Sequence, residues 1–173
     1  MSETKTITSL SLMLDKEMFA LDISSVREIQ DYTDITRIPQ MPPYMRGVVN
    51  LRGKAIPVLD LRMKFGLGET EKTIYSRIII LEVPIEGERC EVGILADAVR
   101  EVFEIDRALL MPPPRVGHAV DTRLLRGIAR YGERFIMLLD IERLFSEDDL
   151  GMLKDMGEEQ TEDAPSEEHA VAA

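Results

Sequence analysis

Arg46-Gly47-Val48-Val49-Asn50-Leu51-Arg52-Gly53-Lys54-Ala55-Ile56-Pro57-Val58-Leu59-Asp60-Leu61 reads as two short, mostly aliphatic β-strands around a tight turn. Gly47 to Leu51 and Lys54 to Leu59 form the strands, with Arg52-Gly53 at the hairpin tip. The pattern returns later in the chain. Arg126-Gly127-Ile128-Ala129-Arg130-Tyr131-Gly132-Glu133-Arg134-Phe135-Ile136-Met137-Leu138-Leu139-Asp140-Ile141 aligns with it without a gap at an offset of 80 residues. Arg-Gly, Ile, Leu and Asp coincide, and most other apolar positions stay apolar. Phe65 and Phe145 remain in register beyond the match.

Upstream, Val26-Arg27-Glu28-Ile29 resembles Val99-Arg100-Glu101-Val102 at an offset of 73. The change of offset implies a seven-residue insertion in the second half, and the Met111-Pro112-Pro113-Pro114 to Thr122 stretch is the natural place for it. Two blocks in the same order identify an internal repeat.

Working outward, the other apolar runs are short and β-branched, which favours strands. Ser9 to Leu14 and Met18 to Ile23 pair across Asp15-Lys16-Glu17. Val26 to Gln30 and Ile35 to Ile38 follow. In the second half Arg77 to Val83 and Arg89 to Leu95 pair across Glu86-Gly87-Glu88, then come Val99 to Ile105, Leu125 to Tyr131 and Arg134 to Leu139. Strands so short and evenly punctuated predict small barrels or a sandwich. Asp60 and Asp140 end strands and are expected to cap short helices. Ser146 is expected to cap a helix from about Glu147 to Met156, stopped by Gly157, with a polar, disordered tail beyond.

Composition narrows the function. The formal net charge is −11, yet ten of the 32 acidic residues and one of the 21 basic ones lie past Phe145. The body keeps 20 basic and 22 acidic residues, and neither part offers a basic footprint for nucleic acid or an anionic membrane. No apolar run approaches the roughly 18 residues of a membrane span, and the N-terminus lacks a signal-peptide apolar region. A cytosolic soluble protein is expected. With Cys90 as the one cysteine, no internal disulfide can form.

Candidates for chemistry are few. Cys90 falls in phase with Val92 and Ile94, as a packed and inert thiol would. His118 and His169 have no ligand-like partner nearby in sequence, so no metal is expected. Asp60 resembles a receiver-domain phospho-acceptor only in ending a strand; the long helices of that fold are missing and Asp140 duplicates it. Gly66-Leu67-Gly68-Glu69 lacks the lysine and hydroxyl of a phosphate loop and reads as a connector. No acid, base or nucleophile converges on a reaction centre, so no catalytic residue is assigned, no cofactor is implied and the chain is not expected to be an enzyme. Two positions stay open. Arg52 is either a solvated charge or a bidentate anchor. Val26 and Val99 are either core residues or the walls of a groove between the repeats.

These blocks together resemble the CheW family of chemotaxis adaptors. Arg46 to Gly53 continuing through Ile56-Pro57-Val58-Leu59-Asp60-Leu61-Arg62 is similar to its signature. Asp22-Ile23, Val26-Arg27-Glu28-Ile29, Thr36-Arg37-Ile38-Pro39, Val92-Gly93-Ile94-Leu95, Asp97, Val99, Val102 and Leu138-Leu139-Asp140-Ile141 match as well. The resemblance covers about Ser9 to Phe145. It implies a mainly β fold of two five-stranded, SH3-like barrel lobes packed together. With the capping and composition readings above, the chain divides into that domain over 1–146, a C-terminal helix over 147–157 and an acidic disordered tail over 158–173, the tail lying outside the family signature.

The function it implies is non-catalytic coupling of the cytoplasmic tips of methyl-accepting chemoreceptors to the regulatory domain of the histidine kinase CheA. That coupling would occur in clusters at the inner face of the membrane, without insertion. A related pathway serving pilus motility or gene regulation is the alternative. By the family pattern Val26, Glu28, Gly47, Arg52, Gly93, Val99 and Val102 are receptor-binding, the alternative for Glu28 and Arg52 being to pair with each other and stabilise the groove wall, and Arg46 is kinase-binding.

Overall fold

The computed structural model describes residues 5–113, 122–153 and 155. Ten strands carry the fold: β1 (Thr6–Leu14), β2 (Glu17–Asp22), β3 (Val26–Asp31), β4 (Met45–Leu51), β5 (Lys54–Asp60), β6 (Arg77–Ile85), β7 (Glu88–Ala96), β8 (Ala98–Asp106), β9 (Leu125–Tyr131) and β10 (Arg134–Leu139). Short helices α1 (Leu61–Lys64) and α2 (Ile141–Leu144) follow β5 and β10. The Asp60 carboxylate accepts from the Arg62 and Met63 amides, and that of Asp140 from the Glu142 amide, so both aspartates cap as expected.

The strands form two five-stranded sheets with orders β8-β1-β2-β10-β9 and β3-β6-β7-β5-β4. Replacing each of β1–β5 by its counterpart in β6–β10 converts one order into the other. The repeat is therefore a pseudo-twofold axis of the fold. The halves are not the lobes, however. Each sheet takes a hairpin from one half and three strands from the other. The halves are threaded through one another by parallel pairs, β2 with β10 at Phe19–Met137 and β5 with β7 at Leu59–Ile94.

Each sheet then curls to meet itself. The amides and carbonyls of Thr36 and Val48 exchange two hydrogen bonds of 2.9 Å, and those of Met111 and Ile128 exchange two of 2.8 Å. Closure explains the Arg-Gly repeats. A Cβ on Gly47 would lie 1.9 Å from the Thr36 carbonyl oxygen, and one on Gly127 would lie 2.7 Å from that of Met111. Only a residue without a side chain lets the strands approach so closely. The Ile35 to Ile38 segment, expected as a strand, makes only this single bridge at Thr36. Pro39, Pro42 and Pro43 follow directly and cannot donate to a ladder.

Because sheets close and also stack, most strands are buried on both faces. Ile78 and Ile80 point into one lobe with Val49, Ile56, Val58 and Leu95. Ile79 and Leu81, one residue out of phase, join a larger cluster between the lobes with Leu12, Phe19, Leu21, Leu59 and Ile94. A strand buried twice reads as an unbroken aliphatic run, which is why Ile78-Ile79-Ile80-Leu81 shows no alternation.

The chain is helical again from 147 to 153 and at 155. Ser146 and Asp149 cap it reciprocally: the Asp149 amide donates to the Ser146 hydroxyl at 3.1 Å, and the Ser146 amide to the Asp149 carboxylate at 2.9 Å. Asp149 falls in the first turn expected for this helix, and it is fully buried. Lys64 of α1 pairs with it at 2.5 Å, and the Tyr44 hydroxyl donates to it at 2.5 Å. Lys64 also donates to the Leu144 carbonyl. Leu153 packs into the cluster between the lobes. The helix is thus fastened to the body, joining α1 of one lobe to the chain leaving the other. The expected stop at Gly157, the tail, His118 and His169 lie outside the described residues.

Candidate functional site

The two Val-Arg-Glu segments open β3 and β8, the strands at repeat-equivalent edges of the two sheets. Both carry a bulge at the same place. Val26 and Glu28 face the adjacent residues Leu81 and Ile80, leaving Arg27 unpaired. Val99 and Val102 face Leu12 and Leu10, so β8 likewise has a residue too many around Arg100 and Glu101. The Ser11 hydroxyl spans that second irregularity, accepting from the Glu101 amide at 2.9 Å and donating to its carbonyl at 3.0 Å. A bulge twists the strand and re-aims the side chains beside it. Val26 and Val99 are both half-buried against the single cluster between the lobes. The same register leaves their neighbours Ile29 and Val102 exposed at 41% and 55%.

Arg52 occupies the β4–β5 hairpin tip at a φ of 51°. Its guanidinium reaches back to Glu28 at 2.7 Å, and the Gln30 amide donates to the other Glu28 oxygen at 2.9 Å. The Arg52 hydrogen bond, then that of Gln30, holds the Glu28 carboxyl below its usual range, and Glu28 in turn raises Arg52. The pair forms a charged rim beside Val26 and Ile29.

The structure gives three of the assigned residues a packing or tethering role. Gly47 and Gly93 are buried and offer a partner no side chain. Gly47 permits closure of its lobe. Gly93 stands opposite Val58 on the parallel partner strand, where a Cβ would lie 3.0 Å from Ile78 Cγ2 and 3.3 Å from Val58 Cγ2. Both are packing positions. Arg46 retains only 13% side-chain exposure. Its guanidinium is taken up by Asp60 at 2.9 Å, the Tyr32 hydroxyl at 2.9 Å and Glu69 at 3.1 Å. It ties β4 to the connector after α1.

Ile29 is an addition that sequence reasoning passed over, although the repeat alignment marks it as the equivalent of Val102. Cys90 is half-buried, and burial followed by the nearby Glu88 charge pushes its thiol up, away from reactivity. Among the described residues no group of three His, Cys, Asp or Glu could hold a metal ion, and no helix is long and apolar enough to cross a membrane. The arrangement offers apolar positions at two symmetry-related strand edges, flanked by a fixed ion pair. That is suited to contact with another macromolecule.

Comparison with known proteins identifies the family. Residues 8–149 match the model of the CheW-like domain family. The chain is 35% identical over 147 residues to the chemotaxis protein CheW of Klebsiella aerogenes, covering 83% of this chain and 84% of that protein. It is 34% identical over 138 residues to a probable chemotaxis protein CheW of Rhizobium etli, covering 80% and 86% respectively. The crystal structure of the scaffolding protein TtCheW from Thermoanaerobacter tengcongensis superposes with a TM-score of 0.73 at 37% identity, covering 86% of this chain and 93% of that one.

Proposed function

This chain belongs to the CheW family, and from that premise we propose that it is a non-catalytic scaffold joining chemoreceptor tips to a CheA-type histidine kinase at receptor clusters on the cytoplasmic side of the membrane. The observation that carries this reading is the pair of bulged edge strands, which set Val26 and Val99 against one apolar cluster between the lobes. The receptor's helical tip lies along these edges. Val26, Val99, Val102 and Ile29 supply apolar contact, and the Glu28–Arg52 pair fixes the rim. Gly47 and Gly93 act beneath this surface by keeping the β4 and β7 backbones in place. Arg46 acts on kinase docking indirectly, by holding the connector that follows α1. Receptor state then shifts the population of kinase arrangements through differential contacts with the scaffold.

The test is a reconstituted receptor–kinase assay. Arg52→Ala and Val99→Asp, each shown to keep the native amide spectrum, are expected to reduce receptor-dependent kinase activation by at least about tenfold. Unchanged coupling with both folded variants would remove these edges from the receptor interface.

A further inference from the structure

The repeat equates Arg126 and Asp140 with Arg46 and Asp60, but the two pairs live in different surroundings. In the first lobe end, the connector after α1 folds back and fills the site. Thr70 donates its amide to one Asp60 oxygen at 2.9 Å and its hydroxyl to the other at 2.7 Å. Arg46 pairs with both Asp60 and Glu69. Thr70 and Asp60 are both buried.

Among the described residues the chain does not come back at the second lobe end. After α2 it enters the helix at 147, whose Asp149 is spent on Lys64 and Tyr44. What remains is an open cleft of about 280 Å³ lined by Asp22, Ser25, Arg126, Leu139, Asp140, Ile141 and Glu142. The role of Glu69 is already filled, because Asp22 lies 3.8 Å from Arg126. The role of Thr70 is not. Among the described residues Asp140 accepts from the Glu142 amide at 3.1 Å and faces the exposed Arg143 guanidinium at 3.4 Å. Asp60 accepts five hydrogen bonds.

We propose that this cleft docks a segment of a partner protein that presents a serine or threonine, with a basic residue beside it. The backbone amide and hydroxyl of that residue bind the Asp140 carboxylate as Thr70 binds Asp60. This is the fold's own solution at the repeat-equivalent aspartate, Asp60. The basic neighbour follows from charge: even with Arg143 beside Asp140, the acids Asp22, Asp140 and Glu142 outnumber the two arginines, Arg126 and Arg143, whereas in the other lobe Glu69 is the second acid on Arg46. The surface lies on the ends of β2 and β10, and its occupancy does not depend on the receptor-facing edges proposed above.

The probe is a blocked heptapeptide copying residues 66–72 with Glu69→Lys, that is Gly-Leu-Gly-Lys-Thr-Glu-Lys, titrated into the full chain and followed by amide resonances. Perturbation confined to residues 22–25 and 139–142 is expected at millimolar peptide. Binding should weaken by about tenfold when the peptide carries Thr70→Val, the loss of one charge-assisted hydrogen bond. It should weaken similarly in the Asp140→Asn chain, where the cap on α2 survives but one acceptor becomes a donor. Several results would overturn the proposal: no perturbation at those residues up to about 10 mM, equal binding of the valine peptide, or equal binding to the Asp140→Asn chain. Tighter binding of the unaltered Glu69 peptide would overturn the basic-neighbour requirement.

Discussion

Gly47→Ala should unfold the protein or leave it barely stable, although the change adds one methyl group. The residue holds φ at 138°, a region that side chains rarely enter. Its new Cβ would sit 1.9 Å from the Thr36 oxygen, 2.7 Å from the Thr36 carbon and 3.0 Å from the Arg37 Cα. All three are backbone atoms fixed by the closing bridge, so nothing flexible can yield. Backbone strain and overpacking together predict a loss of about 3–6 kcal/mol, most of the stability of an ordinary domain. Two comparisons isolate the cause. Gly127→Ala meets the Met111 oxygen at 2.7 Å but lies against the Leu110 side chain, which can shift, so it should cost less, about 1–3 kcal/mol. Gly53→Ala sits at φ 84° with open space around it and should cost only the left-handed backbone penalty of about 1–2 kcal/mol. Denaturant midpoints of the three variants should fall in that order. A Gly47→Ala midpoint close to that of Gly53→Ala would mean that closure is not steric.

Lys64→Met is the second large effect. It leaves the Asp149 carboxylate buried with the Tyr44 hydroxyl and the Ser146 amide but no cation. Removing one member of a buried pair generally costs about 3–5 kcal/mol. The pair should couple strongly in a double-mutant cycle: Lys64→Met together with Asp149→Leu should lose less than the two single changes added together. Additive losses would show that the ion pair is not an interacting unit. The pH dependence has a definite sign. Burial raises the Asp149 carboxyl, but Lys64, Tyr44 and the Ser146 amide outweigh it and hold the group below its usual range. Stability from this carboxylate is therefore complete above the unfolded value and is lost as pH falls through the lower folded one. Tyr44, pushed up to about 12 by burial and then by its bond to Asp149, keeps its proton throughout. Acid should release the C-terminal helix earlier in wild type than in a chain carrying Lys64→Met and Asp149→Leu together.

The sequence revealed local features better than their partners. The Arg-Gly repeats, the aspartate caps and the hairpins were legible, because each depends on residues close together in the chain. The hydrophobic run Ile78 to Leu81 announced a strand, but not that its two faces enter different clusters. The exchange of strands between halves left no local mark, since periodicity does not say which strand lies beside which. Gly93 matches a family motif, but its tight packing against Val58 and Ile78 has no local signal, because those residues lie on other strands. Asp149 was hidden among the carboxylates around it. Its distinguishing signal was the Ser146–Asp149 capping spacing, which the sequence reading used only in part. The Glu28–Arg52 pair was anticipated as one of two options, and the hairpin geometry selected it.

The parallel pairing of β2 with β10 also bears on synthesis of the chain. During translation the β1–β2 hairpin emerges well before its sheet partners, and the sheet is complete only once β10 is available, at Leu139. The other sheet becomes complete once β7 is available, near residue 96. The later-completed sheet must then gather its opening hairpin around a nearly finished neighbour. For a while Leu12, Phe19 and Leu21 have no lasting cover, so nascent-chain chaperones would meet this hairpin as their principal client.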